Sequence, residues 1–187
     1  NNVCSNYSVD HVEYTWTTIQ AMESGNAIFT QPPMPIKCAG APQKIMYLAE
    51  EAFRKQGVRE KSRVVFMNAK PALFTAPYYI PALERVIKSR GMEVQLGQEL
   101  VALRPDAHEA VFRDVKTGTG HVMHYDMIHV TPPMSPPEFA RTRPLANADG
   151  WIEVDKFSLQ HARYPEVFGL GDASNLPTSK TGAAIRK

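Results

Sequence analysis

The stretch "AIFTQPPMPIKCAGAPQKIMYLAEEAFRKQG", Ala27 to Gly57, decides how the rest of the chain is read. It opens on "AIFT", a short buried strand, and passes through the proline-stiffened connection "QPPMP". A run with helical spacing follows, Ile45, Leu48, Ala49, Ala52 and Phe53, from about Pro42 to Gln56 with Gly57 as its stop. Strand, loop and helix in that order open many nucleotide-binding α/β units. Here, however, the loop reads "KCAGAPQK": a single glycine, Gly40, and a thiol, Cys38, stand where a glycine-rich phosphate loop is expected.

Downstream the alternation continues. "RVVFMNA" (63–69) reads as the next strand. "APYYIPALERVIKSRG" (76–91) holds a helix with Leu83, Val86 and Ile87 on one face, and "MEVQLG" (92–97) is a third strand. This order predicts a parallel, doubly wound sheet. The period then changes, and residues 99–131 read as short strands joined by turns at "RPDAHE" and "KTGTG". That is a β-meander inserted before the last strand. Upstream, Val9, Val12, Trp16, Ile19 and Met22 give residues 8–24 near-helical spacing, with Ser8 as N-cap and "SGN" as the stop. Residues 131–150 are proline-rich and read as a crossing between domains. Beyond them Trp151, Ile152 and Val154 alternate as a strand, and "VFGLGD" reads as a buried one. No internal repeat is visible. The expectation is an α/β chain: a Rossmann-like parallel sheet with an inserted β-meander over 27–131, plus part of a second lobe from 1–26 and 132–187.

Composition narrows the function classes. The 187 residues are 43% hydrophobic and 21% charged, as in ordinary globular proteins, and long enough to bury a sizeable core. A net charge of +2 with no long basic run offers nothing that attracts nucleic acid. No apolar run approaches the roughly 18 residues that cross a bilayer, and no signal peptide opens the chain. Two cysteines, Cys4 and Cys38, make no disulfide framework, and no Cys/His cluster points to zinc or another metal. The six histidines stand singly and read as surface or packing residues. The chain starts on Asn1 and ends in "TSKTGAAIRK", the opening turn of a helix, and so reads as a piece of a longer protein.

Two segments carry the candidate chemistry. An apolar strand ending in Gly171-Asp172 would place a carboxylate at the carboxyl end of a sheet, where open α/β sheets bind ligands. Asp172 would there accept hydrogen bonds from a sugar or ribityl hydroxyl; the alternative is that it merely caps a turn. A helix starting near Thr178–Gly182 would aim free N–H groups at the same ligand. The second segment is the Cys38 loop. With no G-x-G-x-x-G there or at the later junctions, the unit is not expected to grip NAD. Cys38 lies just before a helix start with Lys37 and Lys44 nearby, both of which favour thiolate. An equally open reading makes it a small buried residue. Cys4 has no partner in the sequence.

Together "GNAIFT", "KCAGAPQKIMYL", "HVTPPMSPP" and "YPEVFGLGDASNLPTSKT" make the chain similar to the sulfide:quinone oxidoreductases. These are a branch of the flavin-dependent pyridine nucleotide-disulfide oxidoreductase superfamily, and the resemblance is to the type that includes the mitochondrial enzyme. It runs from "SNYSV" to "TSKTGAA". It implies FAD, held by an N-terminal Rossmann unit outside this chain and by the Gly-Asp segment, here Gly171 and Asp172. Backbone near Lys180, Thr181 and Gly182 would face the flavin ring. The resemblance makes residues 1–26 the tail of the FAD-binding lobe and 132–187 the crossing and return to it. It implies two redox cysteines that oxidise sulfide to sulfane sulfur. The first matches Cys38, and the second lies beyond "SKTGAA". Quinone as electron acceptor and sulfide, sulfite or glutathione as sulfur acceptor follow from it. So does docking on a membrane surface, mitochondrial inner or bacterial cytoplasmic, through a C-terminal region also outside the chain. Cys4 stands roughly where other branches carry a third, flavin-proximal cysteine, and Ala173 adds no thiol. Two other readings compete: a non-catalytic Rossmann-like module, and an NADH:quinone reductase of the same superfamily, which the missing phosphate loop disfavours.

Overall fold

A computed structural model of the chain describes residues 1–141 and 144–176. Five parallel strands form its central sheet, in the order β1-β8-β2-β3-β4. They are β1 (Val3–Cys4), β2 (Gly25–Gln31), β3 (Ser62–Asn68), β4 (Glu93–Leu96) and β8 (Met127–His129). The helices are α1 (Val12–Gln20), α2 (Ala41–Gln56) and α3 (Ile80–Ser89). Between β4 and β8 runs an antiparallel sheet of β5 (Gln98–Arg104), β6 (Glu109–Asp114) and β7 (Gly120–His124). The fold is thus α/β, a Rossmann-like parallel sheet with an inserted β-meander, as the sequence pattern predicts.

Each central strand is apolar on both sides, because both sides are covered. On one face Ala27, Phe29, Val64, Phe66 and Met127 pack with Ile19, Met46, Ala49, Phe53 and Ile87 of the helices. On the other, Ile28, Val65, Met67 and Ile128 pack with Ala110 and Phe112 of the meander and with Tyr125. The sheet is therefore not wound by helices on both faces; the meander does the work of a second helical layer. Its return to β8 is clamped at Gly25, where φ is 97° and an added Cβ would lie 2.0 Å from the Asp126 carboxylate. That carboxylate accepts the Asn26 N–H at 2.7 Å.

Contacts divide the chain into two units. The first joins Asn1–Pro33 with Gly40–Pro132; the second joins Met34–Ala39 with the chain from Pro133 onward. Residues 1–26, read as the tail of another lobe, supply β1 and α1 to the first unit. The contact division falls at Pro132, one residue beyond the boundary read at 131, and sets residues 34–39 with the second unit. In the second unit Ala140, Ile152 and Val154 form a small core with Leu145, Ala173 and Leu176 beside a one-turn helix, α4 (Glu138–Arg141).

Two local expectations need correction. First, α1 begins at Val12 rather than near Ser8, whose carbonyl instead accepts the His11 N–H in a turn. Its buried stripe is Thr15, Thr18, Ile19 and Met22, while Val9 is 91% and Trp16 54% exposed. Thr18 tolerates burial because its hydroxyl donates to the Tyr14 carbonyl at 2.7 Å. Val12, Trp16 and Leu48 line an open groove of about 650 Å³ between α1 and α2. Second, neither the segment at Trp151 nor "VFGLGD" is a regular strand; isolated bridges such as Ile152↔Ser174 and Gln160↔Phe168 stand in their place. A strand needs a continuous ladder, and the described residues of this unit offer only single bridges. Two of the histidines read as surface or packing residues are buried in the packing. His161 accepts the Arg163 and Tyr164 N–H groups on Nδ1 and donates through Nε2 to the Leu145 carbonyl at 2.8 Å. His129 accepts the Asn6 N–H on Nε2 at 3.1 Å.

A buried ionic cluster locks the first unit. Glu50 on α2 is fully buried and meets Arg54 at 2.5 Å, Arg59 at 3.1 Å and Arg90 at 2.7 Å. Arg59 also donates to the carbonyls of Ser62, Arg90 and Gly91, which ties α2 to the start of β3 and the end of α3. Removing the carboxylate strands the largely buried Arg59 guanidinium. Glu50→Ala is expected to cost about 3 kcal/mol, read as a lowered urea midpoint.

His129 gives a pH signature. Burial pushes its pKa down to about 4 from an ordinary 6.5, so the folded state holds it neutral while the unfolded chain protonates. Its contribution is complete above pH 6.5 and is lost as pH falls toward 4. Between pH 7 and 4 the native chain should lose about 3 kcal/mol more stability than His129→Gln. Equal losses in the two proteins would remove His129 from the acid response.

Candidate functional site

The thiol loop alternates in and out. Ile36 is fully buried and Ala39 nearly so, while Lys37 between them is exposed and Cys38 is half-buried. Cys38 has φ of 81°, the left-handed region, which costs a residue with a Cβ about 1–2 kcal/mol. Such a geometry persists only where the surroundings impose it, and here the two anchored neighbours do so.

The Gly-Asp segment is a single 3₁₀ turn, Gly171–Ala173, rather than the end of a strand. Backbone bonds pin it: Ile152 N–H donates to the Ala173 carbonyl at 2.8 Å, and Asn175 N–H to the Ile152 carbonyl at 3.0 Å. The Asn175 side chain accepts the Val154 N–H at 3.1 Å, and the Ser174 hydroxyl donates to the Gly171 carbonyl at 3.2 Å. The approach strand-like segment lies flat on the small core at Gly169, where an added Cβ would come within 2.9 Å of Ile152. Asp172 is thereby held on a fixed turn with its carboxylate partly open to solvent.

The two segments meet within the second unit. Lys37 Nζ lies 2.8 Å from Asp172 Oδ2, with the side chains 58% and 39% exposed. The residue next to the thiol therefore touches the carboxylate that the sequence singled out for a ligand hydroxyl. This pairing was not read from the sequence. Local sequence makes Lys37 only a cation beside Cys38, and no local pattern links it to a position so far along the chain. A half-buried thiol on a constrained loop and a carboxylate with lone pairs to spare can together serve sulfur chemistry beside a hydroxyl-bearing ligand.

The remaining candidates fall elsewhere. Lys44 belongs to α2 in the first unit. Lys180, Thr181 and Gly182 lie outside the described residues. Cys4 ends β1 and is 3% exposed, its Sγ 3.5 Å from the Ile128 carbonyl, and burial pushes its thiol up to about 11. It stays protonated at neutral pH, and a protonated thiol is a poor nucleophile. Among the described residues no three His, Cys, Asp or Glu side chains gather as a metal site, and no helix is long and apolar enough to cross a membrane.

The left-handed geometry of Cys38 can be tested directly. At an ordinary loop position alanine is the more stabilising replacement; here Cys38→Gly should be more stable than Cys38→Ala by about 1 kcal/mol. Thermal melts of the two variants give the order, and the reverse order would place Cys38 in an ordinary backbone region.

No protein-family model matches the chain. It is 51% identical to the mitochondrial sulfide:quinone oxidoreductase of Mus musculus, over 97% of its own length and 40% of that protein's. With the mitochondrial sulfide:quinone oxidoreductase of Dictyostelium discoideum it shares 46% identity over 99% of its length and 41% of the relative's. The chain thus spans about two fifths of the length of these curated relatives. Its fold matches the X-ray structure of the sulfide:quinone oxidoreductase from the hyperthermophilic bacterium Aquifex aeolicus with a TM-score of 0.81 at 19% identity. That match covers 95% of this chain and 42% of the other.

Proposed function

Since the chain belongs, over the stretch it spans, to the sulfide:quinone oxidoreductase family, we propose that it carries the sulfur-handling loop of such a flavoprotein. The parent protein oxidises sulfide to sulfane sulfur and delivers the electrons to a quinone. The observation that carries this reading is the Lys37–Asp172 contact, which puts the Cys38 loop against the turn assigned to the cofactor.

The residues fit a flavin nucleotide. Asp172 has a partly exposed carboxylate on a turn opened by Gly171, whose φ of 63° suits glycine and leaves the backbone bare toward a ligand. With Oδ2 on Lys37, Oδ1 is placed to accept a sugar or ribityl hydroxyl. Lys180, Thr181 and Gly182 are proposed to complete that contact. FAD, when bound, supplies the two-electron acceptor between sulfur and quinone.

The chain's own part is sulfur exchange. Hydrosulfide attacks a disulfide that Cys38 shares with a cysteine outside this chain. The S–S bond breaks, one cysteine keeps the incoming sulfur as a persulfide, and the other leaves as a thiolate holding the bond's electron pair. A small nucleophile such as sulfide, sulfite or glutathione then takes the outer sulfur. The loop holds its thiol half-buried, open enough for a small nucleophile to reach the sulfur. The names of the relatives favour a mitochondrial over a bacterial setting; the inner membrane surface, reached through a region outside this chain, is proposed as the docking site.

The full-length protein should be yellow and bleach on anaerobic addition of sulfide but not of NADH. Cys38→Ser should keep its flavin content and lose sulfide bleaching by at least a hundredfold. A colourless protein that takes up no FAD would favour a non-catalytic module. Bleaching by NADH would favour the reductase reading, and normal sulfide turnover in Cys38→Ser would remove the thiol from the reaction.

A further inference from the structure

We infer that Lys37 is the positioning residue for Cys38: its ammonium, seated on Asp172, ties the thiol loop to the turn that holds the cofactor. The inference rests on the reading of Cys38 as the reacting thiol.

The geometry asks for such a tether. Cys38 sits at a φ of 81° that its own side chain disfavours, so the loop relaxes unless both of its flanks are fixed. Ile36 and Ala39 fix it from below by burial. Those apolar anchors set depth but not direction, since hydrophobic contact is non-directional, and the β-bridge of the Lys37 backbone holds the main chain without tying it to the Asp172 carboxylate. A charge-assisted bond of 2.8 Å from Lys37 to Asp172 is directional, and it comes from the residue adjoining the thiol. Its far end is equally fixed. The Asp172 turn is held by the Ile152 and Ser174 bonds and by Ala173 in the small core, so the ammonium grips a rigid post. Asp172 has a second oxygen, so the tether and a ligand hydroxyl can occupy the carboxylate together. Placement of the thiol and of the ligand then depends on one shared carboxylate.

An ion pair with both side chains partly exposed is weakened by salt, which separates a tether from simple packing. In the full-length flavoprotein, Lys37→Met should keep flavin content and melting temperature and slow sulfide bleaching about threefold. The change should fall on kcat rather than on KM. Raising salt from about 0.05 to about 0.5 M should slow the native protein toward the variant and leave the variant flat. Lys37→Arg, which keeps the charge, should recover most of the rate. In protein first reduced with dithiothreitol, so that Cys38 is a free thiol, the rate of its alkylation by iodoacetamide, read by peptide mass, should show the same salt pattern. Native rates of bleaching and alkylation in Lys37→Met, or the same salt response in both proteins, would overturn the tether. If Cys38→Ser instead bleaches normally, the thiol chemistry falls, and the alkylation rates still decide whether Lys37 holds the loop.

Discussion

The structure depends on a parallel sheet that must be covered on both faces. A strand such as β2, with Ala27 and Phe29 facing one way and Ile28 the other, has no polar side to give to water. Helices meet the first face and the meander meets the second, and the same requirement fixes the register of every strand between them. The Glu50 cluster adds a polar lock on α2, where α3 and β3 converge.

What the sequence made legible were elements whose apolar residues carry their own punctuation. The strands at 27–30 and 63–69 are dense in β-branched and aromatic residues, and α2 is framed by Pro42 and Gly57. Elements that borrow stability from distant partners were not legible. The inward stripe of α1 contains two threonines, so apolar spacing alone points to Val9 and Trp16, which face water. The identity of Glu50 says nothing of its burial, which depends on Arg59 and Arg90 from other segments. "VFGLGD" has the composition of a strand, yet Phe168 and Leu170 are exposed and only one bridge supports it.

The same division runs through the site. Cys38 and Gly171-Asp172 could be picked out because their local motifs are unusual, a thiol in place of a phosphate loop and a glycine-acid step. The backbone twist at Cys38 leaves no trace in residue identity, since cysteine has no preference for it. The Lys37–Asp172 pair is invisible for a different reason. Exposed lysines and aspartates are common, and only the fold decides which two meet.

Each compact unit holds one of the chain's two tryptophans, Trp16 in the first and Trp151 in the second. Intrinsic fluorescence is therefore a two-channel signal already written into the protein. Replacing either indole by phenylalanine leaves an optical probe assigned to a single unit, without any attached dye. Melting curves recorded on such a pair would reveal whether the thiol-bearing half loosens in step with the sheet or ahead of it.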